Sequence, residues 1–343
     1  MKNIKIILLL IALFFIGCEK KQEVPVVIGL DSKYSSIAKE IKNGILLASE
    51  EDGLKFYFID NKGDKNIAKQ IDTELITEGK KLVIGHITSS ITKFAVPLFN
   101  GTNTILFSPT ASTKELARLD DNFIRIQPVK DFNSIENILK YMAKFSVKKI
   151  NIFYDKSNKA YANSLIDSFL DKRNKYVKVN KIIPINEANL TLDKIDLHTP
   201  IYIIGSANLS ADMVIALKQK GFDSLIFVSG SAFSKDFINL TGEYGEGVMF
   251  FSTFNSLSDD KKYLKFKENF IAKFEYEPGS FEVKGYEIAK ITAQVIDKKD
   301  IKKALINHTF DGVQGKIYIN EYGDTMRETH IFIVNNGIFE KVE

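Results

Sequence analysis

Two loops concentrate hydroxyl groups at points where the chain would pass from a strand into a helix. Between Leu82 and Leu98 the segment LVIGHITSSITKFAVPL places four hydroxyl residues, Thr88, Ser89, Ser90 and Thr92, behind a short apolar run. Between Phe107 and Thr113 the segment FSPTAST places four more. The first turn of a helix leaves backbone N–H groups unpaired and carries the positive end of the helix dipole, so hydroxyls there join the main chain in holding an anion. One such Ser is satisfied as a plain N-cap. Two adjacent strand ends with the same chemistry favour a concave polar site, suited to a carboxylate or another acceptor-rich group.

Other chemistry finds little support. The histidines stand at 86, 198, 308 and 330, none in a paired metal-ligand spacing, and the chain has one Cys, so no metal site is expected. His86 lies at a strand end beside the proposed cleft, where a structural hydrogen bond is the better reading. IGLDSKYSS after the first apolar run has a single Gly, which disfavours a dinucleotide site, and neither a P-loop nor a GxSxG elbow is present. Glu243 and Glu246 stand three apart among Gly242, Gly245 and Gly247, a pattern that reads as an exposed turn. Neither a cofactor nor catalysis is expected.

The hydroxyl loops need strands that end together and helices that start there. Short β-rich runs, VPVVIGL, LKFYFID, KLVIGH, TILFSP, KKINIFY, VKVNKIIPI, PIYIIGS and SLIFVSG, alternate with amphipathic stretches of helical length at 35–51, 66–78, 91–100, 134–145, 160–173 and 210–220. In the first stretch Ile37, Ile41, Ile45 and Ala48 share one face. Such alternation means an α/β protein with doubly wound parallel sheets. It runs in two rounds, 24–109 and 148–231, with breaks near Pro128–Asp131 and at 252–260. Two helical stretches, 261–276 and 280–298, and a β-like tail with turn signals NEYGD and NNG complete the chain. The aromatics Tyr263, Phe266, Phe270 and Phe274 are spaced as a core stripe; Tyr34 and Tyr161 fall in loops that would frame the cleft.

The first residues carry an address. Lys2 and Lys5 precede an apolar run from Ile6 to Ile16, too short to span a bilayer, so 1–17 reads as a signal peptide. Cys18 after Gly17 resembles a bacterial lipobox, with Phe15 where Leu usually stands, so Cys18 is expected to be lipidated and 18–24 to be a tether. The formal net charge of +4 is spread over scattered Lys and Arg, which argues against a nucleic-acid surface.

VIGHITSSIT, ILFSPTASTKELA and FIRIQP, in this order, resemble successive motifs of the periplasmic branched-chain amino-acid binding proteins, of the type I periplasmic binding fold. YDKSNKAYANSL, IIGSANLSADMVIALKQKGF, GEYGEGVMF and FDGVQGKIYINEYGD extend the resemblance over essentially the whole chain after Cys18. It implies two lobes joined by a three-crossover hinge, here 25–128 plus 256–320 and 129–255 plus 321–343. It also implies capture of a small molecule, delivered to the membrane subunits of an ABC transporter by a protein anchored outside the cytoplasm. Carried over residue by residue, Ser89 takes the carboxylate-binding position with Ser90 beside it, Thr110 the main-chain contact, Ser112 the next hydroxyl and Tyr161 the closing tyrosine. Two positions depart. Ser206 stands where many members have an aromatic residue, and Ser231 where amino-acid binders carry an acid that pairs with the ligand's ammonium. An unpaired buried ammonium is costly, so a free α-amino acid is expected to bind poorly unless another acid serves. A ligand sensor on the same fold, or a degenerate member with a surface interaction role, are the alternatives.

Overall fold

The computed structural model describes residues 23–342 apart from 186–191, 193–195 and 328. The signal peptide and Cys18 therefore lie outside the described residues. In chain order the first round comprises β1 (Val24–Ile28), α1 (Ser35–Asp52), β2 (Phe56–Asp60), α2 (Lys65–Thr77), β3 (Leu82–Gly85), α3 (Ser89–Phe99), β4 (Ile105–Ser108) and β5 (Phe123–Arg125). Its five strands form a parallel sheet in the order β2-β1-β3-β4-β5. Val24 already belongs to β1 and is buried, so the sheet begins inside the stretch expected to be tether.

The second round repeats the plan with α4 (Phe132–Lys144), β6 (Lys149–Asp155), α5 (Lys159–Phe169), β7 (Lys178–Ile185), β8 (Ile201–Ile204), α6 (Ala207–Gln219), β9 (Ile226–Val228), α7 (Lys235–Thr241) and β10 (Met249–Ser252). Then follow α8 (Lys261–Phe274), α9 (Ser280–Val295), α10 (Ile301–Leu305), β11 (His308–Gly312), β12 (Gly315–Ile319), β13 (His330–Asn335) and β14 (Ile338–Lys341). The second sheet runs β14-β13-β10-β9-β8-β6-β7, parallel from β7 to β10, with β13 and β14 added antiparallel at the β10 edge.

All eight apolar runs are strands, and β1, β3, β4, β8 and β9 are buried throughout, as parallel strands covered on both faces must be. Helix ends follow local chemistry. Helix α5 stops at Phe169, four residues before the expected Arg173, because the Asn174 amide donates to the carbonyls of Phe169 and Val177. The NNG turn joins β13 to β14 as expected. NEYGD instead closes on one isolated bridge, Ile319 to Thr325, and the full hairpin turns earlier, between Gly312 and Gly315. Tyr263, Phe266 and Phe270 are buried in one core cluster.

The chain crosses between sheets three times, after β5, after β10 and after β12. Asp131 caps α4 at the first crossing: its carboxylate accepts from Ser134 N–H, and the Ser134 hydroxyl accepts from Asp131 N–H. Arg125 at the end of β5 is fully buried and donates Nε to Asp324 Oδ1 at 2.8 Å and Nη1 to the Thr113 carbonyl at 2.8 Å. The first and third crossings are thus pinned together, and Gly323 accepts from Arg125 N–H beside them.

Candidate functional site

Strand ends and helix starts of both sheets meet in one cavity. It holds about 60 Å³ of space for water-sized molecules, enough for a compact small molecule since one water needs about 10–15 Å³ on that measure. From the first sheet's loops come Tyr34, Thr88, Ser89, Thr110 and Ser112; from the second come Asn158, Tyr161, Gly230 and Ser231. Gln127 and Lys130 join from the first crossing, Phe251, Ser252 and Thr253 from the second, and Ser280, Phe281 and Lys284 from the start of α9.

Thr88, rather than either serine after it, caps α3: its Oγ1 accepts from Ile91 N–H. That leaves Ser89 and Ser90 for other work. The Ser89 hydroxyl accepts from Ser112 N–H at 3.1 Å, so it couples the two hydroxyl loops across β3 and β4. Thr110 donates its hydroxyl to the Ile87 carbonyl at 2.7 Å. Ser90 lies outside the lining and spans the seam, where its N–H donates to Asn158 Oδ1 and its Oγ accepts from Ala160 N–H, both at 3.1 Å. Ser206 is also outside the lining. It is the N-cap of α6, with Oγ accepting from Leu209 N–H.

Other ties hold the two sheets' helices together around the cavity. Tyr34 donates its hydroxyl to Asp155 Oδ2 at 2.9 Å, and Lys33 lies 3.1 Å from the same carboxylate. Burial, then the Asp155 charge, pushes the Tyr34 phenol well above its ordinary value, so it remains a donor. The Ser164 hydroxyl meets both Thr113 Oγ1 and Lys114 N–H at 3.0 Å. The structure is therefore in a closed arrangement.

Tyr161 is buried against the floor. Burial raises its phenol pKa, and bonds to the Ser229 and Ser231 side chains work in the opposite direction. Ser231 donates to the Gly205 carbonyl at 2.7 Å and pairs with the Ser229 hydroxyl at 2.8 Å. No Asp or Glu is among the described residues lining the cavity. Asp60 is occupied by the N–H groups of Leu30 and Lys62, and Asp155 by Tyr34, Lys33 and Ser157.

The sequence reading missed the cations. Lys130 and Lys284 both line the cavity and are 7% exposed. Burial pushes the Lys130 ammonium down to about 8, and burial followed by the charges of Arg327 and Lys130 pushes Lys284 down to about 7. A signal for Lys284 existed: with Phe281, Ile288, Ile291 and Val295 it falls on the apolar stripe of α9. His86 is fully buried and structural, Nδ1 against Asn61 Nδ2 at 3.1 Å and Nε2 against Asp72 Oδ2 at 2.9 Å.

A sequence profile described as "Periplasmic binding protein" matches residues 21–337 of this chain. No curated protein sequence matches it. Among solved structures, the chain is similar to the branched-chain amino acid transporter substrate-binding protein LivJ of Streptococcus pneumoniae in complex with isoleucine, at 22% identity and a TM-score of 0.83, covering 94% of this chain and 99% of that one. It is similar to the leucine-binding protein LivK of Thermotoga maritima at 20% identity and a TM-score of 0.81, covering 94% and 97%. It is similar as well to a solute-binding protein of an ABC transporter from R. palustris in complex with benzoate, at 16% identity and a TM-score of 0.81, covering 93% and 95%.

Proposed function

Since this chain belongs to the periplasmic binding protein family, we propose that it captures a small polar solute between two lobes outside the cytoplasm and delivers it to the membrane subunits of an ABC transporter. The observation that carries this reading is the cavity itself, walled by hydroxyl-rich strand ends of both sheets at the side where open α/β sheets bind ligands. Ser89 and Ser112 would present their hydroxyls and Thr110 its main chain from one lobe, and Tyr161 and Ser231 would close from the other. Ser90 would act as a latch across the seam, and Ser206 as a helix cap. The lobes would move as bodies, 25–128 plus 256–320 against 129–255 plus 321–343, with residues 320–325 riding on β5 through Arg125. Cys18 would carry the lipid anchor. With Val24 already in β1, the tether would reach at most about 20 Å from the membrane.

A thermal-shift screen of the chain from Lys20 onward, against amino acids, organic acids, nucleosides, sugars and short peptides, tests this. A true ligand at a hundred times its dissociation constant adds about 2.7 kcal/mol. The reading requires a shift with at least one class and recovery of that compound unchanged. Conversion of the compound would make the cavity an enzyme site, and a flat response across all classes would remove the solute-binding role.

A further inference from the structure

Lys130 and Lys284 give the cavity a charge that its hydroxyl groups do not. The Lys130 side chain is held by its backbone, which bridges Thr113 and donates N–H to the Ser112 carbonyl at 2.8 Å. Its ammonium has no hydrogen bond or ion pair among the described residues, only the longer-range attraction of the Asp131 carboxylate, although the residue is 7% exposed and lines the cavity. The Lys284 ammonium bonds to the Ser280 hydroxyl and lies 4.6 Å from the centre of the Phe281 ring. The groups whose charges reach it are Lys130 and Arg327, which repel it, and Glu287 and Glu40, which attract it. Glu287 is largely committed, accepting from Val313 N–H through Oε1 and from Arg327 through Oε2.

An ammonium that faces a cavity with no hydrogen-bond or ion-pair partner of its own is expensive, and in a site that opens and closes the missing partner is naturally the ligand. Among the described residues the wall offers no carboxylate to a ligand's own ammonium. A zwitterionic amino acid would set a third positive charge beside these two, with the neutral Gln127 Oε1 among the described lining residues left to accept from it and no carboxylate in direct reach. Resting on the solute-binding reading above, we propose that the cavity takes a small organic anion without an ammonium group, whose carboxylate oxygens neutralise Lys130 and Lys284 while the serine and threonine hydroxyls fix their orientation.

Calorimetric titration of the purified, ligand-stripped protein at pH 7 tests this, with mono- and dicarboxylates of two to seven carbons, including succinate and benzoate, against leucine, 4-aminobutyrate and succinamide. The expected result is binding by at least one ammonium-free acid, with its amide and amino counterparts at least a hundredfold weaker. Lys130→Met and Lys284→Met should each weaken that acid at least tenfold, while circular dichroism shows the fold intact and Lys130→Arg retains part of the affinity. Leucine or a neutral compound binding as tightly as any acid, with the methionine variants unaffected, would overturn the anion assignment and leave solute capture standing. Binding of none of these, together with a flat thermal screen, would overturn both.

Discussion

Lys284 couples the site to pH through its own fold. Below about pH 7 both folded and unfolded chains carry its proton, and the folded state bears the full cost of a buried charge facing Lys130 and Arg327. Between about 7 and the ordinary lysine value of 10.5 the folded chain gives up the proton while the unfolded chain keeps it, so the ligand-free protein gains stability from this group as pH rises. Lys284→Met should therefore raise the melting temperature of the ligand-free protein at pH 6, by a stability increment on the order of 3 kcal/mol, with a smaller gain near pH 10. A melting series across that range checks it, and a lower Tm at pH 6 would show the ammonium to be stabilising. Ser89→Ala is a contrasting case. It leaves Ser112 N–H without its acceptor and should cost about 1–3 kcal/mol in chemical denaturation at any pH.

At the level of elements, α9 reaches the cavity because α1 admits it closely. Helices pack at 8–10 Å depending on the side chains between them, and here two glycines remove the side chains. A Cβ on Gly44 would lie 2.0 Å from the Glu282 carbonyl oxygen, and one on Gly285 would lie 2.1 Å from that of Ile41. Gly285 adjoins Lys284, so the same close approach that seats α9 on α1 aims the ammonium. Gly285→Ala should destabilise by about 3 kcal/mol or more and weaken ligand binding by moving Lys284, measured as a fall in Tm together with a rise in Kd. A full-length protein with unchanged Tm would mean that the helices slide apart without strain.

Much of this level was legible from patterns: VPVVIGL, LVIGH and TILFSP are strands because continuous apolar runs suit sheets covered on both faces, and Ile37, Ile41 and Ile45 announced α1. What escaped was tertiary. The apolar stripe of α9 turns Lys284 inward, but nothing along that helix says that a cleft lies there rather than core, and the choice of Thr88 over Ser89 as cap depends on where the backbone leaves β3. The turn at Val313–Gln314 carried its own signal, Asp311-Gly312 before it and Gly315 after it, and the reading of NEYGD as the turn passed it over.

For the whole molecule, the closed form rests on a small set of bonds across the seam, those of Asp155, Ser90 and Ser164. Asp155→Ala removes the partner of Tyr34 and Lys33 and shifts the population toward an open form. If that leaves a tenth of the molecules competent, affinity falls about tenfold. Small-angle scattering should show a larger radius for the variant, and saturating ligand should restore it. The pin between Arg125 and Asp324 serves a different end, since it locks the crossings rather than the lobes. Asp324→Ala strands a buried guanidinium and should cost about 3–5 kcal/mol of global stability.

The order of strands in the second sheet also sets a timetable. β10 is complete at Ser252, yet the neighbour that covers its edge, β13, begins at His330, and the first sheet's α1 waits for α9 from Ser280. Neither half can finish on the part of the chain that is synthesised first. A nascent chain that has emerged as far as Asp260 carries two sheets, each with a surface that only later residues will cover, and an uncovered strand edge invites pairing with other chains. Neither half can complete its native packing until translation is nearly over, a schedule compatible with a member of an extracytoplasmic family.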